Sequence, residues 1–169
     1  MIAQFKVFTA SAALLALAAC GGESGSSGSG DQESVVLPGG QTVGEVAEAR
    51  HEAMENIGES FKIIRDQLKA ETPDLAEIRA AAAFIEEKSG EVGDWFPPET
   101  SPELGVDTDA LAAIWEQPDE FAAAVARFET AASGLNAAAQ SGDTASIGAA
   151  VQEIGGACKN CHDSFREDD

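Results

Sequence analysis

The chain has 169 residues, with 10 Lys plus Arg against 30 Asp plus Glu, 2 His and 3 Cys, and a formal charge of −20. The length suits one domain with a real core. The acidity argues against nucleic acid as a partner and against charge-driven docking on anionic lipid, since both would repel it. Tyr is absent and aromatics make up 6%. With so much Ala, Gly and Glu, the composition favours helices over a β-sandwich.

Met1 to Ala19 form one hydrophobic run whose only charge is Lys6. Val7 to Ala19 is too short to span a bilayer, so residues 1–19 read as a signal peptide. The run ends Leu17-Ala18-Ala19-Cys20, followed by Gly21-Gly22. This resembles the lipobox of bacterial lipoproteins, which implies lipidation at Cys20. The plain alternative is an ordinary cleavage site beside a bystander cysteine. The lipobox reading puts the protein on the periplasmic side of a bacterial membrane, held by its lipid alone. Gly21 supplies no acidic retention signal, which favours the outer membrane. Residues 21–34, GGESGSSGSGDQES, cannot bury enough apolar surface to order themselves. Residues 20–39 are therefore expected to be a flexible tether, with a root-mean-square reach of roughly 25 Å.

Helical periodicity starts near Gln41. Val43, Val46, Arg50, Met54, Ile57, Phe61, Ile64 and Leu68 lie three or four apart, predicting a helix over about 41–70. Thr72 as N-cap and Pro73 at the first helical position predict a second helix, with stripe Leu75, Ile78, Ala82 and Ile85, ending near Gly90. Residues 91–105, EVGDWFPPETSPELG, form a long crossover with little regular structure, and 107–115 a short helical turn. Pro118 opens a third helix, with stripe Phe121, Val125, Phe128, Ala132, Leu135 and Ala139, ending at Ser141-Gly142. Asp143 or Thr144 caps a fourth, with stripe Ile147, Val151, Ile154, Cys158, Cys161 and Phe165. Short links make helices one and two, and three and four, antiparallel neighbours. The expected fold is all-α, an antiparallel four-helix bundle over residues 40–169. Alanine is heavy on the stripes, at 80–83, 122–124 and 137–139, so the bundle is expected to leave room for something bulky and apolar.

The segment Cys158-Lys159-Asn160-Cys161-His162 carries the chemistry. C-x-x-C-H is the attachment motif of c-type haem. On a helix its three ligating side chains share one face. Two thiols there can bond the haem vinyl groups, and the imidazole can reach the iron. Other readings compete. A disulfide across three helical residues would be strained. A thioredoxin-like dithiol sits at a helix N-terminus, whereas this one lies at a C-terminus. Zinc would need a fourth ligand, and His51 is the only other histidine.

With CKNCHDSFR ending the fourth helix, residues 41–167 resemble the class II cytochromes c, chiefly cytochrome c prime. Arg50-x-x-x-Met54, Trp95-Phe96-Pro97-Pro98 and Ile114-Trp115-x-x-Pro118 support the resemblance. It implies one covalent haem c per chain, near the C-terminal end of helix four. It implies thioether bonds at Cys158 and Cys161, with His162 as proximal iron ligand. Arg166 falls where the family has a basic residue beside the proximal face. Arg50 matches an arginine that pairs with a haem propionate; the alternative for both is ordinary surface charge. Met54 aligns with the distal position. There it is either an apolar shield over five-coordinate iron that binds NO or CO, or an iron ligand in a low-spin electron carrier, or plain core. Ile57, Phe61 and Phe84 are candidate distal neighbours.

The resemblance implies a carrier or gas binder rather than an enzyme; no catalytic constellation stands out. The acidic surface suits a redox partner with a basic docking surface. Family members are often dimers, which makes a homodimer possible. The reading from another class is a haem-free thiol redox or metal-binding lipoprotein.

Overall fold

The computed structural model describes residues 29–167, and all that follows concerns them. The signal peptide and Cys20 lie outside them. Helix α1 is Ser29–Glu33, α2 Val43–Gln67, α3 Leu75–Ser89, α4 Ala113–Glu116, α5 Pro118–Ser141 and α6 Thr144–Phe165. The four long ones are those the sequence periodicity predicts. No described helix is long and apolar enough to cross a membrane.

The ends of these helices follow from local chemistry. At α2, Thr42 Oγ1 accepts from the Glu45 N–H at 3.2 Å and Glu45 Oε2 accepts from the Thr42 N–H at 2.7 Å, a complete capping box. Helix α3 starts later than predicted. Asp74, not Thr72, is its N-cap, because its carboxylate accepts from both Ala76 N–H and Glu77 N–H. Gly142 ends α5 in the left-handed region, at φ 74°. Asp143 then caps α6, its carboxylate accepting from Ala145 and Ser146 N–H.

Arg79 Nε, early in α3, donates to the Ala139 carbonyl, late in α5, at 3.2 Å. The long helices thus run up, down, up, down. Neighbours α2–α3, α3–α5 and α5–α6 pack along their lengths, whereas the α2 and α6 backbones stay apart. Ile64, Ile78, Ile85, Leu135, Ile147 and Ile154 are fully buried between them. The alanines divide: Ala81, Ala82, Ala124 and Ala139 face the core, while Ala80, Ala83, Ala122, Ala123 and Ala137 face solvent. The open seam therefore owes more to the separation of α2 from α6 than to alanine alone.

The crossover closes one end of the bundle. It contains short 3-10 turns at Val92–Trp95, Pro98–Thr100 and Pro102–Leu104. Its last stretch joins the end of α6: the Leu111 N–H donates to Phe165 O at 3.0 Å and the Glu167 N–H to Asp109 O at 2.8 Å. Residues 29–39 depart from the free tether expected for them. Val35 O accepts from the Val43 N–H, Val36 bridges to Thr42, and Leu37 packs with Val43, Ala47 and Val106. Leu37 supplies the burial that holds the segment down, while Val35 and Val36 stay exposed. The segment is a strap over the start of α2.

Candidate haem site

Helix α6 delivers the motif in its last two turns. Cys158 and Cys161 are half-buried against the core cluster, and both thiols are free. Burial pushes the Cys158 thiol up to about 11, with the neighbouring Cys161 adding to the effect. Burial pushes Cys161 up as well. Both shifts run away from the lowered pKa of a dithiol nucleophile. His162 stands at a rim. Partial burial lowers its pKa, the Arg166 charge lowers it further, and Asp163 pulls it back.

The seam between α2 and α6 opens at the crossover end into a cleft of about 760 Å³. Met54 and Arg50 form its α2 wall, and Cys161, His162 and Arg166 its α6 wall. Phe96, Ile114, Phe121 and Phe165 make an apolar floor. The rings of Phe96, Phe121 and Phe165 stack edge to face, with centroids 5.0 and 5.3 Å apart. Cys158 sits one turn back from the cleft, against the core. Arg166 Nη2 lies 3.8 Å from Asp109 Oδ2.

Arg50 interrupts an apolar stripe and is only 5% exposed. Both of its terminal nitrogens have protein partners. It donates to Thr108 Oγ1 at 2.7 Å, Thr100 Oγ1 at 3.0 Å and Trp95 O at 3.3 Å, and its guanidinium lies 4.6 Å from the Phe96 ring centre. Arg50 thus braces the crossover while forming part of the cleft wall. Burial lowers its pKa to about 10.

The structure gathers Arg50, Met54, Cys161, His162 and Arg166 at one opening. It does not bring Ile57, Phe61 or Phe84 to the cleft wall. Ile57 is core, and the Phe61 ring lies close to Gly155 of α6. Sequence reasoning missed Thr108, Asp109 and Glu33. Their place depends on the loop path, for which periodicity carries no signal.

A large planar apolar group with two anionic arms suits these residues. The floor is aromatic and aliphatic, thiols and imidazole share one helical face, and Arg50 and Arg166 stand at the walls. A bundle of four long helices with such a cleft beside a C-terminal C-x-x-C-H is of the covalent-haem, c-type class. The family profile for Cytochrome C' matches residues 45–166. The chain belongs to that family, and with it carries a single covalently attached haem c. A relative named cytochrome c-554, from Cereibacter sphaeroides, is 35% identical over 124 residues, covering 72% of this chain and 80% of its own. The crystal structure of cytochrome c' from Rubrivivax gelatinosus is 35% identical, with TM-score 0.68, covering 74% of this chain and 97% of that one. The nitric oxide complex of a point mutant of cytochrome c prime from Alcaligenes xylosoxidans is 27% identical, with TM-score 0.66, covering 73% of this chain and 94% of that one.

Proposed function

We propose that the protein exchanges electrons through its haem and that its iron is five-coordinate, open to NO or CO. Cys158 and Cys161 would hold the macrocycle by thioether bonds, and His162 would be its protein-side iron ligand. The haem supplies the redox centre and the gas-binding position. The chain supplies the rest: an apolar floor that excludes water, two thiols and an imidazole on one helical face, and arginines near the propionates. Met54 would shield the opposite side. The observation that carries this reading is the meeting of Met54, Cys161, His162 and Arg50 in one cleft. The nitric oxide complex of the Alcaligenes xylosoxidans relative supports the gas-binding part.

A second reading follows from the same geometry. Met54 lines the cleft with His162, so its sulfur could take the sixth position and make the protein a pure electron carrier. One ferrous spectrum separates the two. A high-spin spectrum that shifts on adding CO or NO supports the open site; a low-spin spectrum unmoved by CO supports methionine ligation.

We also infer lipidation at Cys20 and a periplasmic location, from the lipobox-like run alone. Cys20 is nine positions before Ser29, where the strap begins. A chain of that length spans at most about 30 Å, which would keep the strap end near the membrane. Mass spectrometry of the membrane fraction tests this. A diacylglyceryl-modified N-terminal peptide beginning at Cys20 is expected, and an unmodified peptide would refute it.

A further inference from the structure

The strap lies before residue 45, where the family match begins, yet it helps build the mouth of the cleft. Glu33 lines the cleft, and its Oε1 accepts from the Asp107 N–H at 3.2 Å. Its carbonyl and Cβ press close over Gly44. Leu37 packs against the small cluster that includes Val106 of the crossover. Strap and crossover are thus one continuous surface.

Five large apolar side chains are exposed among the described residues, and four of them belong to the strap or the crossover. Val35 and Val36 precede Leu37 on the strap, Val36 being 63% exposed. Leu104, 50% exposed, is two residues before Val106; Leu111 follows Ala110 of the cleft wall. The fifth, Ile63, is in the far half of α2. Around the mouth stand the carboxylates of Glu33, Glu48, Glu55, Asp107 and Asp109. Exposed apolar side chains and carboxylates beside a redox cofactor suit a transient protein interface. Such electron-transfer encounters bury less than about 1,200 Å².

We propose that this strap-and-crossover end is the docking face for a basic electron-transfer protein. Val36 and Leu104 make the apolar contact, and Glu33 and Asp107 steer the approach. Lipid fits less well, since the carboxylates would be repelled by an anionic headgroup surface. In the encounter, one electron leaves the reduced protein and reduces the acceptor; no bond forms and no proton moves. This inference rests on the electron-transfer part of the proposed function.

The test uses the full-length haem-loaded protein, reduced, mixed by stopped flow with a lysine-rich class I cytochrome c as the basic acceptor. One variant combines Val36→Ser with Leu104→Ser, and a second combines Glu33→Gln with Asp107→Asn. The controls are Ile63→Ser, and Glu71→Gln with Glu77→Gln, which removes the same charge at the opposite end. The cleft-end charge variant should slow the bimolecular rate about 5-fold at low ionic strength, a difference that fades at high salt. The apolar variant should slow it about 3-fold at every salt concentration, since loss of apolar contact is not screened. The controls should stay close to wild type. Equal slowing by the controls, or no slowing by the cleft-end variants, overturns the docking face. So does an apolar variant that loses binding to neutral phosphatidylcholine vesicles while its electron transfer is unchanged. A wild-type protein that reduces ferricyanide but not the basic acceptor also overturns it and leaves the electron-transfer reading standing. Failure with both oxidants overturns that reading itself.

Discussion

Replacing Arg50 tests how the cleft wall is held. Its guanidinium makes three hydrogen bonds to the crossover and covers the Phe96 ring. Hydrogen bonds from a charged donor contribute about 1.5 kcal/mol each at the low end. With roughly 1 kcal/mol for the ring contact, the gross gain is about 5 to 6 kcal/mol. Against it stands burial of the charge. Lowering the pKa from 12.5 to about 10 corresponds to a cost of about 3 kcal/mol. The net is about 2 kcal/mol of stabilisation. Arg50→Met removes both the bonds and the buried charge, so it should lose that net amount. Arg50→Lys keeps a buried charge but cannot reach three acceptors at once, so it should lose about 3 kcal/mol. For a domain of this size these are falls in Tm of roughly 7 and 10 °C. Thermal melts of the haem-loaded protein, followed by far-ultraviolet circular dichroism, measure both. A Lys variant as stable as wild type, or a Met variant with unchanged Tm, would refute the reasoning.

Three further outcomes are expected. Met54→Ala should leave the ferrous protein high-spin and speed CO binding about 10-fold by removing the shield, as read by flash photolysis; an unchanged CO rate would remove Met54 from the distal side. Gly142→Ala should cost about 1–2 kcal/mol in chemical denaturation, because its φ of 74° strains any L side chain and its Cβ would lie 3.1 Å from Arg79 Nη2; unchanged stability would count against the helix ending described. Asp66 is held down to about 2, first by its hydrogen bond from Lys69 and then by that from Lys62. Its folded pKa lies below its ordinary 3.8. The stability it adds is therefore complete above about pH 4 and lost as pH falls towards 2. Asp66→Asn should flatten the Tm-against-pH curve in that window, and an unchanged acid branch would contradict the assignment.

The helices were legible because each carries a repeating apolar face, and because Pro118, Gly142 and Asp143 mark their ends by mechanisms that act within a few residues. The error at Thr72 shows the limit of that reasoning. Thr72, Pro73 and Asp74 each make a plausible start, and the carboxylate of Asp74 satisfies two N–H groups at once. The motif at Cys158, Cys161 and His162 was legible for the same local reason, as three side chains on one helical face. Arg50 was visible as an anomaly, a cation inside an apolar stripe. Its partners Thr100 and Thr108 were not, because they reach it through a loop whose path no periodicity encodes. Nor was the strap: Val35-Val36-Leu37 follows a Gly/Ser-rich run within a few residues, and only the packing of Leu37 on the Val43, Ala47 and Val106 cluster shows that the segment lies on the bundle.

The central claim is that Cys158 and Cys161 bind haem covalently in the cleft beside His162. The most direct test is acid-acetone extraction of the full-length protein made with a cytochrome maturation system. The wild type should keep its Soret band in the protein fraction, whereas Cys158→Ala with Cys161→Ala should release any haem into the acetone. A colourless wild type with two free thiols, or one whose haem extracts, would contradict the account.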